Sequence, residues 1–345
     1  MSLGTVESRA AAAVIIMSVA FLCLLRKGGA LRGLPVLKSF SGWPFRNGFP
    51  PTQPRSGMNA AAVAEGPEGT DLPEVMHRVM EADELKAEVI IVGDVHGCHS
   101  EMVTLLKRCG YRLGNQEDRE RFSVVLAGDL VNKGPGNAEV VRTARKEGFL
   151  AVRGNHDNFI LAAATGVGRF SNAFTLEERL KSPPWVQELS SDDVRWLSAL
   201  PYTLSFPSMG FIVVHAGLVP GVPLERQDTT AMSCMRNVVE SETGRGYEPR
   251  VNAKEGTMAD TNACWLTDLR PGGIPWAKAW KGPEHVYFGH DAVRGFQKEP
   301  FATGLDTGCV YGRSLTAVVL PGGRIVCVPA EAEWEKPGAP KKALR

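Results

Sequence analysis

No two of the chain's seven cysteines are spaced as C-x-x-C, and their number is odd: Cys23, Cys98, Cys109, Cys234, Cys264, Cys309 and Cys327 are scattered over 345 residues. This pattern excludes a zinc-ribbon framework and a disulfide-stapled scaffold, and it fits free thiols in a reducing compartment. Cys98, directly after a glycine, reads as a small apolar filler. The chain also lacks any charge-free apolar run of about 18 residues, so a multi-span membrane protein is excluded. It has little net charge as well, +1 overall. Apolar content of 43% and charged content of 22% match an ordinary globular protein and rule out fibrous and disordered classes.

The small net charge conceals an uneven distribution. Residues 1–58 contain one acid, Glu7, against seven basic residues, which leaves 32 basic and 37 acidic residues for the rest. A basic head on a mildly acidic body suggests targeting or anchoring, and the acidic body argues against duplex nucleic acid as a partner. Ala10 to Leu25 is uncharged and mostly apolar, and Arg26 and Lys27 follow it. By the positive-inside tendency, residues 10–25 would anchor the chain to a membrane with the body facing the cytoplasm. The acid-poor stretch through Arg55 reads equally as an organelle transit sequence for a mitochondrion or plastid. Residues 1–71 are therefore expected to be an anchor or targeting segment plus linker, 72–330 a catalytic domain, and 331–345 a tail.

Within the body, β-branched runs alternate with helical patterns. Glu88–Val92, Ser123–Ala127 and Phe149–Val152 read as strands, with helices over Ser100–Cys109, Ala138–Lys146 and Asn158–Ala164 between and after them. This is a βαβαβα order, typical of an α/β sheet. Phe211–Val214, His285–Phe288, Ser314–Leu320 and Arg324–Val328 read as further strands, the last two joined by a hairpin at Pro321-Gly322-Gly323. Thr165–Pro201 and Pro220–Gly282 read as insertions over the active edge, with Trp265, Trp276 or Trp280 available to stack on a base.

Polar clusters follow these strands: Gly93-Asp94-Val95-His96-Gly97, Gly128-Asp129, Gly154-Asn155-His156-Asp157, His215-Ala216-Gly217 and Gly289-His290-Asp291. Loops at the carboxyl ends of strands in an α/β sheet converge on one crevice, so residues about two hundred positions apart can meet. Taken singly, each Gly-Asp or Gly-His reads as a turn. Together they hold four of only seven histidines, a concentration that turn formation does not explain. Oxygen and imidazole donors around one shared carboxylate suit a pair of divalent ions, which neutralise phosphoryl charge and generate hydroxide near neutral pH. Asp94 and His96 can clasp one ion, Asn155, His215 and His290 the other, and Asp129 can bridge them.

The blocks GDVHG, GDLVNKGP, GNHD, HAGL and FGHDA resemble the calcineurin-like metallophosphoesterases, and Lys133-Gly134-Pro135 with Gly289-His290-Asp291-Ala292 look most like the ApaH-like phosphatases of eukaryotes. The resemblance runs from about Val89 to Pro329. It implies an α/β fold, a sandwich of two mixed β-sheets flanked by helices. It also implies two divalent metal ions (Mn, Zn or Fe) on the ligands named above, with His156 as the general acid. Two positions depart from the phosphoprotein phosphatase branch, where Asp-Arg stands in place of Asn132-Lys133. Asn132 could accept a hydrogen bond from the His156 imidazole, and Lys133 can neutralise a phosphate without gripping it by a fork. Lys133 and Asn155 are the candidate phosphate contacts. Arg250, Arg270 and Arg294 are positional candidates for a second phosphate-binding arginine, and Arg153 reads as an ion-pair partner near the metals. The implied reaction is hydrolysis of a phosphoester or phosphoanhydride by a metal-bound hydroxide. The substrate would be a dinucleoside polyphosphate or other phosphorylated small molecule, a polyphosphate or an RNA cap. A serine/threonine phosphoprotein phosphatase is the alternative, and a membrane-tethered binding module with a retired site is the reading outside catalysis.

Overall fold

The β-branched runs named above form strands because successive side chains point to opposite faces, and here both faces are covered. The structure, a computed structural model, describes residues 75–165, 183–241, 246–250 and 273–336, and the statements below concern these. One mixed sheet has the order β14-β13-β2-β3-β4, from β2 (Glu88–Val92), β3 (Phe122–Leu126), β4 (Leu150–Ala151), β13 (Ser314–Leu320) and β14 (Arg324–Pro329). β2 runs parallel to β3 and antiparallel to β13, so the sheet joins the chain's first βαβ units to its last hairpin. The second mixed sheet is β1-β5-β6-β10-β12-β11. It comprises β1 (His77–Val79), β5 (Thr203–Phe206), β6 (Phe211–Val214), β10 (His285–Phe288), β11 (Gln297–Glu299) and β12 (Ala302–Gly304).

Alternation along the strands sorts the apolar residues into three layers. Val89, Ile91, Val125 and Val152 face Leu204, Phe206, Phe211 and Val213 between the two sheets. The opposite face of the first sheet, with Ile90, Val92, Val124 and Leu126, packs on α1 (His99–Cys109) and α2 (Asn137–Glu147) through Met102, Leu105, Leu106, Val140, Val141 and Ala144. Ile212, Val214, Val286 and Phe288 cover the other side, against Met232, Met235 and Trp276. The result is the α/β sandwich of two mixed sheets flanked by helices that the sequence led us to expect.

Three differences from the sequence reading concern the edges. Strands β1, β5, β11 and β12, of three or four residues, lack the apolar, β-branched run that marks the equally short β6 and β10. The Pro220–Gly282 stretch is not only loop: it contains α3 (Thr229–Cys234) and a three-stranded sheet β8-β7-β9, from β7 (Asn237–Glu240), β8 (Tyr247–Arg250) and β9 (Ile274–Pro275). The strip after Pro329 is tied down rather than loose. Glu331 and Trp334 both donate to the buried Glu101 carboxylate, and Trp334 N–H donates to the Val310 carbonyl. The apolar run at 10–25 lies outside the described residues, among which no helix is long and apolar enough to cross a membrane.

One polar cluster stabilises the outer layer. Arg119 forks onto Glu147 at 2.9 and 2.7 Å, and Tyr111 O–H adds a third bond at 2.8 Å. Led by Arg119, these bonds push the Glu147 carboxyl down from 4.5 to about 2. A lowered folded-state value means stabilisation that is present above 4.5 and lost as the pH falls through about 2. Glu147→Gln should therefore cost about 1–3 kcal/mol near neutral pH, and the gap from the unaltered chain should narrow between those values. Urea unfolding at a series of pH values measures this, and a constant gap would exclude the ionised pair as the cause.

Candidate metal centre

The non-glycine residues with left-handed backbone among those described are His96 (φ 46°), Asp129 (47°), Asn132 (77°), Lys133 (78°) and His290 (66°). All five lie in the loops that follow β2, β3 and β10. Strained φ is tolerated where surrounding structure enforces it, and it collects at functional sites. Packing explains the adjoining glycines: a Cβ on Gly289 would strike the Asp94 carboxylate, and one on Gly154 would strike that of Asp129.

The loops after β2, β3, β4, β6 and β10 meet as the strand order requires. Asp129 lies at the centre and is 1% exposed. Its Oδ2 is 3.4 Å from His96 Nε2 and its Oδ1 is 3.4 Å from His215 Nε2, so one carboxylate faces both halves of the site. Asn155 Oδ1 lies 3.1 Å from both His215 Nε2 and His290 Nδ1. His215 Nδ1–H donates to the Ala127 carbonyl at 2.9 Å and His290 Nε2–H to the Cys234 carbonyl at 3.0 Å, so in each ring the inward nitrogen keeps its lone pair. Asp94 accepts the His290 N–H at 3.0 and 3.1 Å.

Burial sets the protonation states. It holds His96, His156 and His290 well below the ordinary imidazole value and brings His215 to about 4, so all four rings are neutral. It raises Asp129 to about 7 and pushes Asp94 well above its usual range, with the Asp306 and Asp129 charges adding to the Asp94 shift. The inward atoms of Asn155, His215 and His290 are thus all acceptors converging without a proton to share, beside carboxylates that repel one another. Such a group fits cations. Oxygens and nitrogens of Asp129, His215 and His290 lie within 4.8 Å of one another, as do those of His96, Asp129 and His156.

Around this floor the structure settles several readings. Asn132 Nδ2 lies 2.7 Å from His156 Nδ1, while Asn132 Oδ1 accepts the Lys133 N–H at 3.1 Å. The amide therefore donates to the imidazole rather than accepting from it, a reversal imposed by the backbone bond that fixes the amide's orientation. The His156 proton is then held on Nε2. Lys133 Nζ is 2.8 Å from Tyr311 O–H and 3.1 Å from His96 Nε2, and burial lowers its pKa to about 8. Arg294 is engaged by Asp291 and Asn237, and Arg153 bonds the Ser198 carbonyl and lies over the Tyr202 ring. Arg153 thus supports the loop after β4 through a carbonyl and a ring. Arg270 and the Arg250 side chain lie outside the described residues, as does Trp265. Trp276 is a core residue donating to the Ala216 carbonyl at 2.9 Å, and the half-buried Trp280 donates to the Glu284 carbonyl.

Sequence reasoning gave no role to three residues here. Asp306, 5% exposed, follows β12 in Gly304-Leu305-Asp306, the same strand-Gly-acid signal as Gly93-Asp94 one residue longer. Asp157 accepts the Leu130, Val131 and Gly154 N–H groups and so shapes the Asp129 loop. Arg236 donates to the His290 carbonyl at 3.1 Å and lies 3.5 Å from Asp291; nothing in its sequence context marks it.

Comparison with known proteins gives the following likenesses. The calcineurin-like phosphoesterase family matches residues 87–305. The chain is 31% identical to the symmetrical bis(5'-nucleosyl)-tetraphosphatase of Nitrosococcus oceani, over 67% of this chain and 92% of that one. It is 28% identical to the asymmetrical bis(5'-nucleosyl)-tetraphosphatase of Bacillus subtilis, over 71% and 96%. A crystal structure provisionally assigned as a diadenosine tetraphosphatase superposes with a TM-score of 0.58 at 36% identity, over 74% of this chain and 98% of that one.

Proposed function

Since the chain belongs to the calcineurin-like phosphoesterase family, and is thereby a metal-dependent hydrolase, we propose that it cleaves phosphoanhydride bonds in dinucleoside polyphosphates. The observation that carries this reading is the ring of neutral acceptors around Asp129 with Lys133 at its rim. Asp94, His96 and Asp129 would hold one divalent ion, and Asp129, Asn155, His215 and His290 the other; Mn, Zn or Fe suits such donors. When bound, the pair supplies charge neutralisation at phosphorus and an activated water.

The chain's own groups do the rest. His156, with its proton on Nε2, stands to donate a hydrogen bond to the leaving oxygen and so offset the charge that develops there, while water supplies the proton; the Asn132 amide holds the ring in that tautomer. Lys133, steadied by Tyr311, places a single positive charge where phosphoryl oxygens gain negative charge. A point charge serves a chain of phosphates, whereas a forked arginine better fixes one tetrahedral monoester. The tetraphosphatase relatives support the same substrate class.

A substrate panel tests the proposal. With Mn or Zn supplied, diadenosine tetraphosphate should be turned over with a kcat/KM at least about tenfold above phosphoserine peptides, which is about 1.4 kcal/mol of transition-state preference. Capped RNA and polyphosphate complete the panel. A tenfold preference for phosphopeptides would replace this reading with a protein phosphatase.

The basic head is proposed to address the enzyme, as an anchor that leaves the catalytic domain facing the cytoplasm or as an organelle transit sequence. Deleting residues 1–58 should leave catalysis intact and change where a fluorescent fusion is found. A diffuse signal for the full chain would sink both versions.

A further inference from the structure

Cys98 and Cys309 are brought together by the fold although 210 positions separate them in sequence. Cys98 leads into α1 directly after the His96 loop, and Cys309 lies three residues beyond Asp306. The two residues are 0% and 2% exposed. Glu101, in the first turn of α1 and 2% exposed, completes the group: both sulfurs and one of its carboxylate oxygens lie within 4.8 Å of one another. A carboxylate this deep beside an apolar layer is costly unless its charge is met. Its Oε1 accepts two bonds of 3.1 Å, from the Glu331 N–H and the Trp334 indole N–H, and both donors are neutral. Among the described residues no lysine or arginine pairs with Glu101. Two sulfurs and an acid therefore face one another without a cationic side chain between them.

We propose that Cys98, Glu101 and Cys309 form a second metal site, for a thiophilic divalent ion of the zinc class, separate from the Asp129 centre. Sulfur donors select borderline and soft ions, while magnesium and calcium require oxygen. The two centres differ in this respect, because the groups around Asp129 offer only nitrogen and oxygen. An ion at the sulfur site would tie together three segments: the loop carrying His96, the loop carrying Asp306, and, through Glu101, the strip at Glu331–Trp334. That strip donates to Val310, next to the Tyr311 that holds Lys133. The site's role is structural, holding in register two loops that the catalytic centre needs.

Cadmium is the probe of choice, since its thiolate complexes absorb in the ultraviolet and nitrogen–oxygen complexes do not. The full chain, stripped by chelation and titrated with cadmium, should develop a thiolate-to-metal charge-transfer band. The band should be lost in Cys98→Ser and in Cys309→Ser, and magnesium should not produce it. Should either variant fail to fold, the unaltered chain still decides. Zinc at about ten times its dissociation constant should slow alkylation of Cys98 and Cys309 about tenfold. The exposed Cys327 serves as internal control, and peptide mass spectrometry reads each thiol. No band in the unaltered chain, a band that survives in both serine variants, or alkylation of both thiols at a rate indifferent to zinc would each overturn the proposal. Cys98 and Cys309 would then be core thiols that hydrogen-bond to each other.

Discussion

Asp129→Asn should lower kcat/KM by about three orders of magnitude or more, roughly 4 kcal/mol of transition-state stabilisation. The substitution keeps the shape and removes the charge. One Asp129 oxygen lies 3.4 Å from His96 Nε2 and the other 3.4 Å from His215 Nε2 and 2.9 Å from the His156 N–H. An amide there would turn an NH2 toward one of these nitrogens and could not offset two divalent charges. Elemental analysis should fall from two ions per chain at the Asp129 centre to one or none. The metal-free chain provides a control of opposite sign. Because burial raises Asp129 from 3.8 to about 7 in the fold, the metal-free protein loses stability as the pH rises above 3.8, and the loss is complete above about 7. The asparagine variant without metal should therefore unfold at a temperature no lower than the unaltered metal-free chain at pH 8. Activity within tenfold of the unaltered enzyme would remove Asp129 from the bridging role.

The second large effect is expected at His156. Replacing it with alanine should reduce kcat by about 10²–10⁴-fold on a substrate with a poor leaving group. The loss should be much smaller on a p-nitrophenyl phosphoester, whose leaving oxygen needs no donor. Asn132→Ala should follow the same pattern more weakly, because it removes the 2.7 Å bond that fixes the tautomer and leaves the ring in place. Equal losses on both substrates would mean that His156 acts by another route, such as binding metal with His96 and Asp129.

Legibility in the sequence followed the strength of the local signal. The strands Glu88–Val92, Phe211–Val214, His285–Phe288 and Ser314–Leu320 match the structure residue for residue, because each is a β-branched or apolar run bounded by glycine, proline or charge. The helices Asn137–Glu147 and His99–Cys109 begin one residue earlier than their apolar faces suggest. Pairing partners had no such signal. β13 lies beside β2 although more than two hundred residues separate them, and nothing local encodes that neighbour.

The same division holds at the site. Glycine beside acid or histidine at a strand end is a local requirement, since only there can backbone and ligand approach closely; Asp94, His96, Asp129, Asn155, His215 and His290 could therefore be named from sequence as candidate ligands. What those ligands rest on depends on distance through space. The orientation of the Asn132 amide is decided by a backbone N–H, the tautomers of His215 and His290 by carbonyls of Ala127 and Cys234, and the position of Lys133 by Tyr311. Asp306 stood in a block that resembles the family but was given no role, and Arg236 was overlooked because its charge becomes part of the centre only when another loop carries it there. Sequence by itself determined the donor types and the order of the loops that carry them, since both are local properties of the chain. Tertiary structure alone decided which nitrogen faces inward, which carboxylate repels which, and that Cys98 meets Cys309, because each depends on contacts between segments that are neighbours only once the two sheets have packed.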